Sequence, residues 1–453
     1  MPLKDKNLLL ISANFPPVST SGVHRMIRIV RYLTEMGVRV SVLTVDETSI
    51  AKGFEYDEAL LEKVPSEVEI LRVPAFQGYK KFLDLKQKIN PSGQRKKAMP
   101  NPMLSEPTRL KRQGKQKSFG QWVRDAITLN LNTPDNYAMW IRSAVQVGVK
   151  YVREHGIENI LSSSPPGSAH VVAMRLKQRT RVHWIADFRD PWSKKQWFNP
   201  EMTAFKKRRI EICEQKTLRH ADKIIMNTQE MLEIYRQVYN GIMDQKGVVI
   251  PNGFDPADYV NLPPMANRNS KIVILHTGTF YRSRSPVPFL EGFGLATASG
   301  EIKPEHFRIK FIGSIGDFGA DIENVAKHYH FEDSLVLVPS IPHKECLAEM
   351  TRADILLLLQ PGTQIQVPAK LYEYIAIGRP IFAISAPGAI QRLIQDHQLG
   401  WWADADDVVQ IQKVFGEISS RVSDGHGQWE IPPSALETFN GQKLVERISA
   451  LLQ

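Results

Sequence analysis

At 453 residues the chain is too long for a single hydrophobic core, and 42% hydrophobic with 23% charged residues is the make-up of a soluble protein of two domains. Two cysteines, Cys213 and Cys346, without metal-ligand spacing argue against a disulfide framework and a zinc site and fit a reducing compartment. The net charge of +10 is local: twelve Lys and Arg against two acids lie between Lys80 and Lys117, which leaves the rest of the chain formally neutral.

The first apolar run, within "MPLKDKNLLLISANFPP", is stopped by Asn14 and two prolines, too soon for a signal peptide. No apolar run is long enough to span a bilayer. A cytoplasmic protein is expected, or one resting on the inner face of a membrane. Short β-rich runs follow at 7–13, 38–45, 68–74, 157–164, 182–188, 222–228 and 247–252, with helical patterns such as 22–36 and 168–179 between them. Near-continuous apolar runs predict a buried parallel sheet, and the alternation predicts a doubly wound fold. The basic, proline-bearing stretch 80–117 reads as a long loop, either solvated or drawn to an anionic membrane surface or a phosphorylated acceptor. Its aromatics do not interleave with the basic residues, which argues against nucleic acid. A proline-bearing linker at 254–270 precedes a second alternating half. Its strands are predicted at 271–278, 307–313, 334–340, 354–360 and 380–385, and its helices at 286–298, 319–329, 343–352 and 369–377. Ligands of such open sheets bind at the carboxyl edge.

Four segments carry candidate chemistry. "VPAKLYEYIAIGRPI" (367–381) predicts a helix entered at Pro368, with Leu371, Tyr374, Ile375 and Gly378 on one stripe and Lys370 and Glu373 three apart on another. A carboxylate there can accept two hydrogen bonds from a ribose diol, and the helix start favours a diphosphate; the alternative is a plain Lys–Glu surface pair. "NFPPVSTSGVHR" turns from strand to helix at Gly22, where the backbone can approach a diphosphate or an acceptor; the alternative is an ordinary βα turn. "DFRDPW" (187–192) places Arg189 and Asp190 after an apolar strand, as candidates for acceptor orientation or proton handling; the alternative is a structural Asp–Arg pair. His170, after "SSSPPGSA", is a lone histidine with a bland reading at least as strong. "DADD" (404–407) reads as a helix cap, and no metal site is expected.

Together "PAKLYEYIAIGRPI", the glycine loop with its helix, "SSSPPGSAHVVA", "ADFRDPW", "VIPNGFDP" and "LHTGTFYRSRSPVPFLEGF" resemble the two-domain GT-B glycosyltransferases, specifically retaining glycosyltransferase family 4, in order over most of the chain. The resemblance implies an α/β architecture of two Rossmann-like domains whose parallel sheets face across a cleft. It implies an N-terminal acceptor domain at 1–253, a linker at 254–270, a nucleotide-sugar domain at 271–434, and a C-terminal helix at 435–453 returning to the first domain. By the same resemblance Glu373 contacts the nucleotide ribose, and Gly278, Thr279, Arg282, Arg284 and Lys370 surround the diphosphate, with Gly22 toward the donor phosphates or the acceptor. The sequence departs from the family pattern in two respects. Ile365 stands where a second Glu is frequent, and Thr279 and Arg284 stand where an Arg and a Lys are usual, with Arg282 as a second cation. The implied activity is metal-free, retaining transfer from a UDP- or GDP-linked sugar to a glycan or lipid-linked acceptor, as in bacterial surface glycan assembly. The sugar nucleotide is then a substrate, and no cofactor is needed. The competing readings are a nucleotide-sugar 2-epimerase of the same fold and a non-enzymatic basic binding protein.

Overall fold

A computed structural model describes residues 6–49, 54–75, 133–193, 202–260, 262–263, 271–281, 284–423 and 430–453. The basic stretch 80–117 and Arg282 lie outside the described residues. The chain forms two compact units: Met1–Asn227 with Leu232–Ile250 and Val445–Gln453, and Thr228–Met231 with Pro251–Leu444.

The first unit holds a seven-stranded parallel sheet. Its strands are β1 (Asn7–Ile11), β2 (Arg39–Val45), β3 (Glu69–Val73), β4 (Asn159–Ser164), β5 (His183–Phe188), β6 (Lys223–Met226) and β7 (Gly247–Val249), in the order β3-β2-β1-β4-β5-β6-β7. β1 and β5 are buried along their whole length, as their unbroken apolar runs predict for a sheet covered on both faces. Ile11 sits between Leu43 and Ser162 in register. The order reverses between β1 and β4, so the crevice of the sheet opens there, where α1 (Ser21–Glu35) and α3 (Ser168–Thr180) begin; α2 (Ile141–Glu154) leads into β4. α4 (Ala204–His220) and α5 (Gln229–Val238) flank β6 in sequence. The C-terminal residues close against the sheet: Lys6 Nζ donates to the Leu452 carbonyl, and Asn159 exchanges two hydrogen bonds with Gln453.

The second unit repeats the plan with β8 (Ile272–Thr277), β9 (Phe307–Ile312), β10 (Leu335–Val338), β11 (Ile355–Gln360), β12 (Ile381–Ser385) and β13 (Gly400–Asp404), ordered β10-β9-β8-β11-β12-β13. Along β11 successive side chains feed opposite cores. Ile355, Leu357 and Leu359 join an aromatic layer with Phe289 of α6 (Val287–Ala298) and Phe415 of α9 (Val408–Ser423). Leu356 and Leu358 join the layer of α7 (His343–Arg352) and α8 (Ala369–Ile377). Phe254 also packs in this second layer, its amide donating to the Phe439 carbonyl. β13 has no counterpart among the predicted strands: its run Gly-Trp-Trp-Ala-Asp sets two β-favouring tryptophans among Gly, Ala and Asp, which strands disfavour. Beyond it Asp407 accepts the Gln410 amide at 2.9 Å, the capping geometry expected of "DADD".

Candidate functional site

Candidate residues gather at the strand-order reversal of each unit. In the second unit, β8 runs out into Gly278 and β11 leads to α8, the neighbouring strands of that reversal. Gly278 has φ of +133° and its carbonyl is where a Cβ on Gly313 would fall, at 2.1 Å, so the two loops meet backbone to backbone and only glycine fits. Pro368 occupies the N-cap of α8, one position earlier than a first-turn proline, and Gly378 at φ +84° ends the helix with its amide on Ile375 and Tyr374 carbonyls. Tyr372 is buried along with Leu371, Tyr374 and Ile375, so the buried face is broader than the predicted stripe.

Lys370 reaches back from α8 to β8: its Nζ donates to Thr277 Oγ1 at 3.0 Å and stands 3.8 Å from where a Gly278 Cβ would be. Glu373 lies 3.9 Å from Lys370, through Oε2, and takes a 2.8 Å contact from His343 Nε2 on its other oxygen. Glu373 thus has a second neighbour besides Lys370, and its side chain is 18% exposed. Arg284 stacks 4.8 Å over the Tyr281 ring, and its buried Nε has no hydrogen-bond partner among the described residues. Thr279 is exposed. His276 is buried beneath this corner, stacked on Phe280. Burial above all, then the Lys370 and Arg284 charges, lower its pKa to about 3 against the opposing Leu357 carbonyl contact. The Ile365 side chain is buried, and its carbonyl accepts the Thr228 hydroxyl.

In the first unit the glycine turn and "DFRDPW" meet. A Cβ on Gly22 would lie 1.3 Å from Nη1 of Arg189, so the guanidinium rests on the first turn of α1. Arg189 also donates through Nε to the Ser164 carbonyl at 3.3 Å and through Nη2 to the Pro165 carbonyl. Its pKa is lowered by burial and by Arg25, against the pull of Asp187 and Asp190. The Thr20 side chain makes no capping hydrogen bond to α1, and no acid stands in the helix's first turn. Helix dipole and guanidinium therefore put two positive features at one point, an arrangement suited to an anion. Asp190 is half-buried and acts on Arg189 by charge. Asp187 is the structural member of the motif, but its partner is Arg25 of α1: two buried contacts at 2.9 and 3.2 Å, with Ser163 donating as well.

His170 is fully buried; its Nδ1 lies 2.8 Å from Ser162 Oγ, which also accepts the Trp184 indole N–H. Burial lowers its pKa to about 3, so it is neutral at ordinary pH. Two residues have no place in the motif reading. His343 is one. The other is Glu214 of α4, wholly buried, whose carboxylate accepts the Ser193 amide at 2.8 Å, the Ser193 and Tyr235 hydroxyls, and the Tyr239 hydroxyl at 3.0 Å. Tyr235 in turn accepts the Trp192 amide, so Glu214 pins the end of "DFRDPW". Its signal is legible in spacing: Ile210, Glu214 and Leu218 share a helical stripe, which puts an acid on an apolar face.

Among the described residues no cluster of three His, Cys, Asp or Glu is placed to hold a metal, and no helix is long and apolar enough to cross a membrane. Cys213 and Cys346 are unbridged.

Residues 111–253 match the family described as a Glycosyl transferase 4-like domain. No curated protein matches the chain. Among solved structures the chain is similar to sucrose-phosphate synthase from Thermosynechococcus elongatus, with a TM-score of 0.58, 16% identity and 98% of each chain covered. It is similar to Anabaena HepE in complex with UDP and glucose, with a TM-score of 0.57, 13% identity and 98% of each chain covered. It is also similar to WaaG, a glycosyltransferase involved in lipopolysaccharide biosynthesis, with a TM-score of 0.53, 13% identity and 99% of each chain covered.

Proposed function

We propose that this chain, which has the GT-B fold and a glycosyl transferase 4-like match over 111–253, transfers a sugar from a nucleotide-sugar donor to a glycan or lipid-linked acceptor. The observation that carries the reading is the convergence of Lys370, Glu373 and the backbone of Gly278 at the strand-order reversal of the second unit. A carboxylate there suits a ribose diol, and a lysine beside a bare glycine backbone suits a diphosphate. Arg284 supplies further positive charge for the leaving diphosphate, where negative charge grows in an oxocarbenium-like transition state; Arg282, outside the described residues, is assigned as a second cation by resemblance alone. Arg189 on Gly22, with Asp190 beside it, is assigned to the acceptor or to the donor phosphates. A UDP-linked donor is favoured by the likeness to HepE, which binds UDP. Retention of configuration without a metal, and a role at the inner face of a bacterial membrane in surface glycan assembly, extend the reading by resemblance.

Thermal shift against a panel of UDP- and GDP-linked sugars tests it, because a bound donor raises the unfolding temperature by mass action. One nucleotide class is expected to stabilise the chain. Glu373→Ala is expected to weaken that binding by roughly ten- to a hundredfold, about 1.5–3 kcal/mol, with the fold intact. An unchanged affinity in the folded variant would return Glu373 to a structural role. Release of a 2-epimer without acceptor would identify an isomerase instead.

A further inference from the structure

His343 opens α7 with a side chain 71% exposed, yet its Nε2 lies 2.8 Å from Oε1 of Glu373, whose side chain is 18% exposed. Water alone would satisfy an exposed imidazole. The contact instead spends the rotamer freedom of both residues, so its consequence falls on the less exposed partner. Lys370 approaches the same carboxylate from the other side, 3.9 Å from Oε2. Each oxygen of Glu373 thus has its own neighbour, one from α7 and one from its own helix. Lys370 is tied in turn to Thr277 at the end of β8. One hydrogen bond, from α7, and one nearby charge, from α8, therefore flank the two oxygens of the carboxylate. A carboxylate that must meet both hydroxyls of a diol needs its plane set, whereas one that merely complements a surface charge does not.

We propose that His343 is a positioning residue of the nucleotide site, whose Nε2–H holds the Glu373 carboxylate in the orientation that receives the ribose diol. The inference rests on the reading above that Glu373 binds ribose. A second consequence concerns charge. The hydrogen bond to Glu373 raises the His343 pKa; burial opposes this, the Glu373 charge adds to it, Lys370 opposes it and Asp258 adds to it. Lys344 and Glu345 follow on its own helix, one of each sign. A diphosphate held near Lys370 brings more negative charge to this group. Binding then favours the imidazolium, so affinity declines as pH rises through the raised His343 pKa.

Calorimetric titration with UDP and with 2′,3′-dideoxy-UDP tests the proposal, or with the corresponding guanosine pair if wild type binds GDP. At alkaline pH, where the imidazole is neutral and only its hydrogen bond is lost, His343→Ala is expected to weaken UDP binding by roughly five- to tenfold and to leave the dideoxy nucleotide almost unaffected. His343→Gln, whose amide reaches a similar position as a donor, is expected to restore most of the preference for ribose. Its affinity should depend less on pH than that of wild type, and this comparison cancels the titration of the nucleotide's own phosphate. Equal UDP affinity in wild type and His343→Ala overturns the proposal. So does an equal loss for both nucleotides, because a general structural or electrostatic effect would not distinguish them. If wild type binds neither UDP nor GDP, the nucleotide reading itself falls and takes this inference with it; that result is distinct from a wild type that binds and a variant that binds alike.

Discussion

Gly22 and Arg189 are 167 positions apart in sequence, yet a single methyl on one would occupy the space of the other. The clash is with the far end of a long side chain, so Gly22→Ala should fold, with the guanidinium pushed off the first turn of α1. Turnover is then expected to fall by about ten- to a hundredfold, since a small misplacement of a positioned charge is costly to catalysis. Kinetics on the folded variant check this; near-normal turnover would remove the corner from the site. Both residues were legible as candidates, one from a strand-to-helix glycine and one from charge beside an apolar strand. Their contact was not legible, because spacing along the chain carries no information on which side chain crosses a loop. Asp187 makes the same point. The run "DFRD" invites a pairing of Asp with the nearby Arg, whereas the buried partner is Arg25 of α1. A fully buried carboxylate selects whichever guanidinium can reach it in two-point geometry, and here that one comes from a different element.

At the scale of elements, α8 was the most legible: a proline before it, an apolar stripe and a glycine after it act within a few residues of one another. α4 was less so, because seven Lys, Arg and His among its 17 residues obscure a buried stripe of Ile210, Glu214, Thr217 and Leu218. Glu214 is the residue of consequence on that stripe. Glu214→Ala would leave the Ser193, Tyr235 and Tyr239 hydroxyls and the Ser193 amide without their acceptor in a dry environment. The expected cost is about 3 kcal/mol or more of stability in the first unit. A lowered unfolding temperature measures it. Because Trp192 hangs on Tyr235, a shift in tryptophan fluorescence of the folded variant is also expected. An unchanged unfolding temperature would mean that water or a neighbouring group replaces the carboxylate without cost.

Across the whole molecule, two histidines one per unit make stability depend on pH in a definite direction. His170 and His276 are held neutral, each with its pKa lowered from 6.5 to about 3, chiefly by burial. Between those values the unfolded chain binds more protons than the folded one, so stability rises with pH through this window and falls on acidification. The unfolding temperature is expected to drop from pH 7 to pH 5. His276→Gln should flatten part of that slope while losing some stability at pH 7. A slope unaffected by the substitution would assign the acid sensitivity to other groups. The sequence by itself determined the strands, the repeated βα plan and the short glycine- and proline-marked turns, because those follow from the hydrophobicity and backbone preferences of neighbouring residues. It missed β13, an edge strand whose two tryptophans stand among strand-disfavouring Gly, Ala and Asp and which pairing with β12 recruits. Only the tertiary structure decided that both sheets reverse their order beside their first strands, that Arg189 lies on Gly22, that His343 holds Glu373, and that Glu214 collects four donors. Each of these joins residues brought together by strand order and packing rather than by proximity in the chain, and side-chain hydrogen bonds over such separations are set by where the backbone has already been placed.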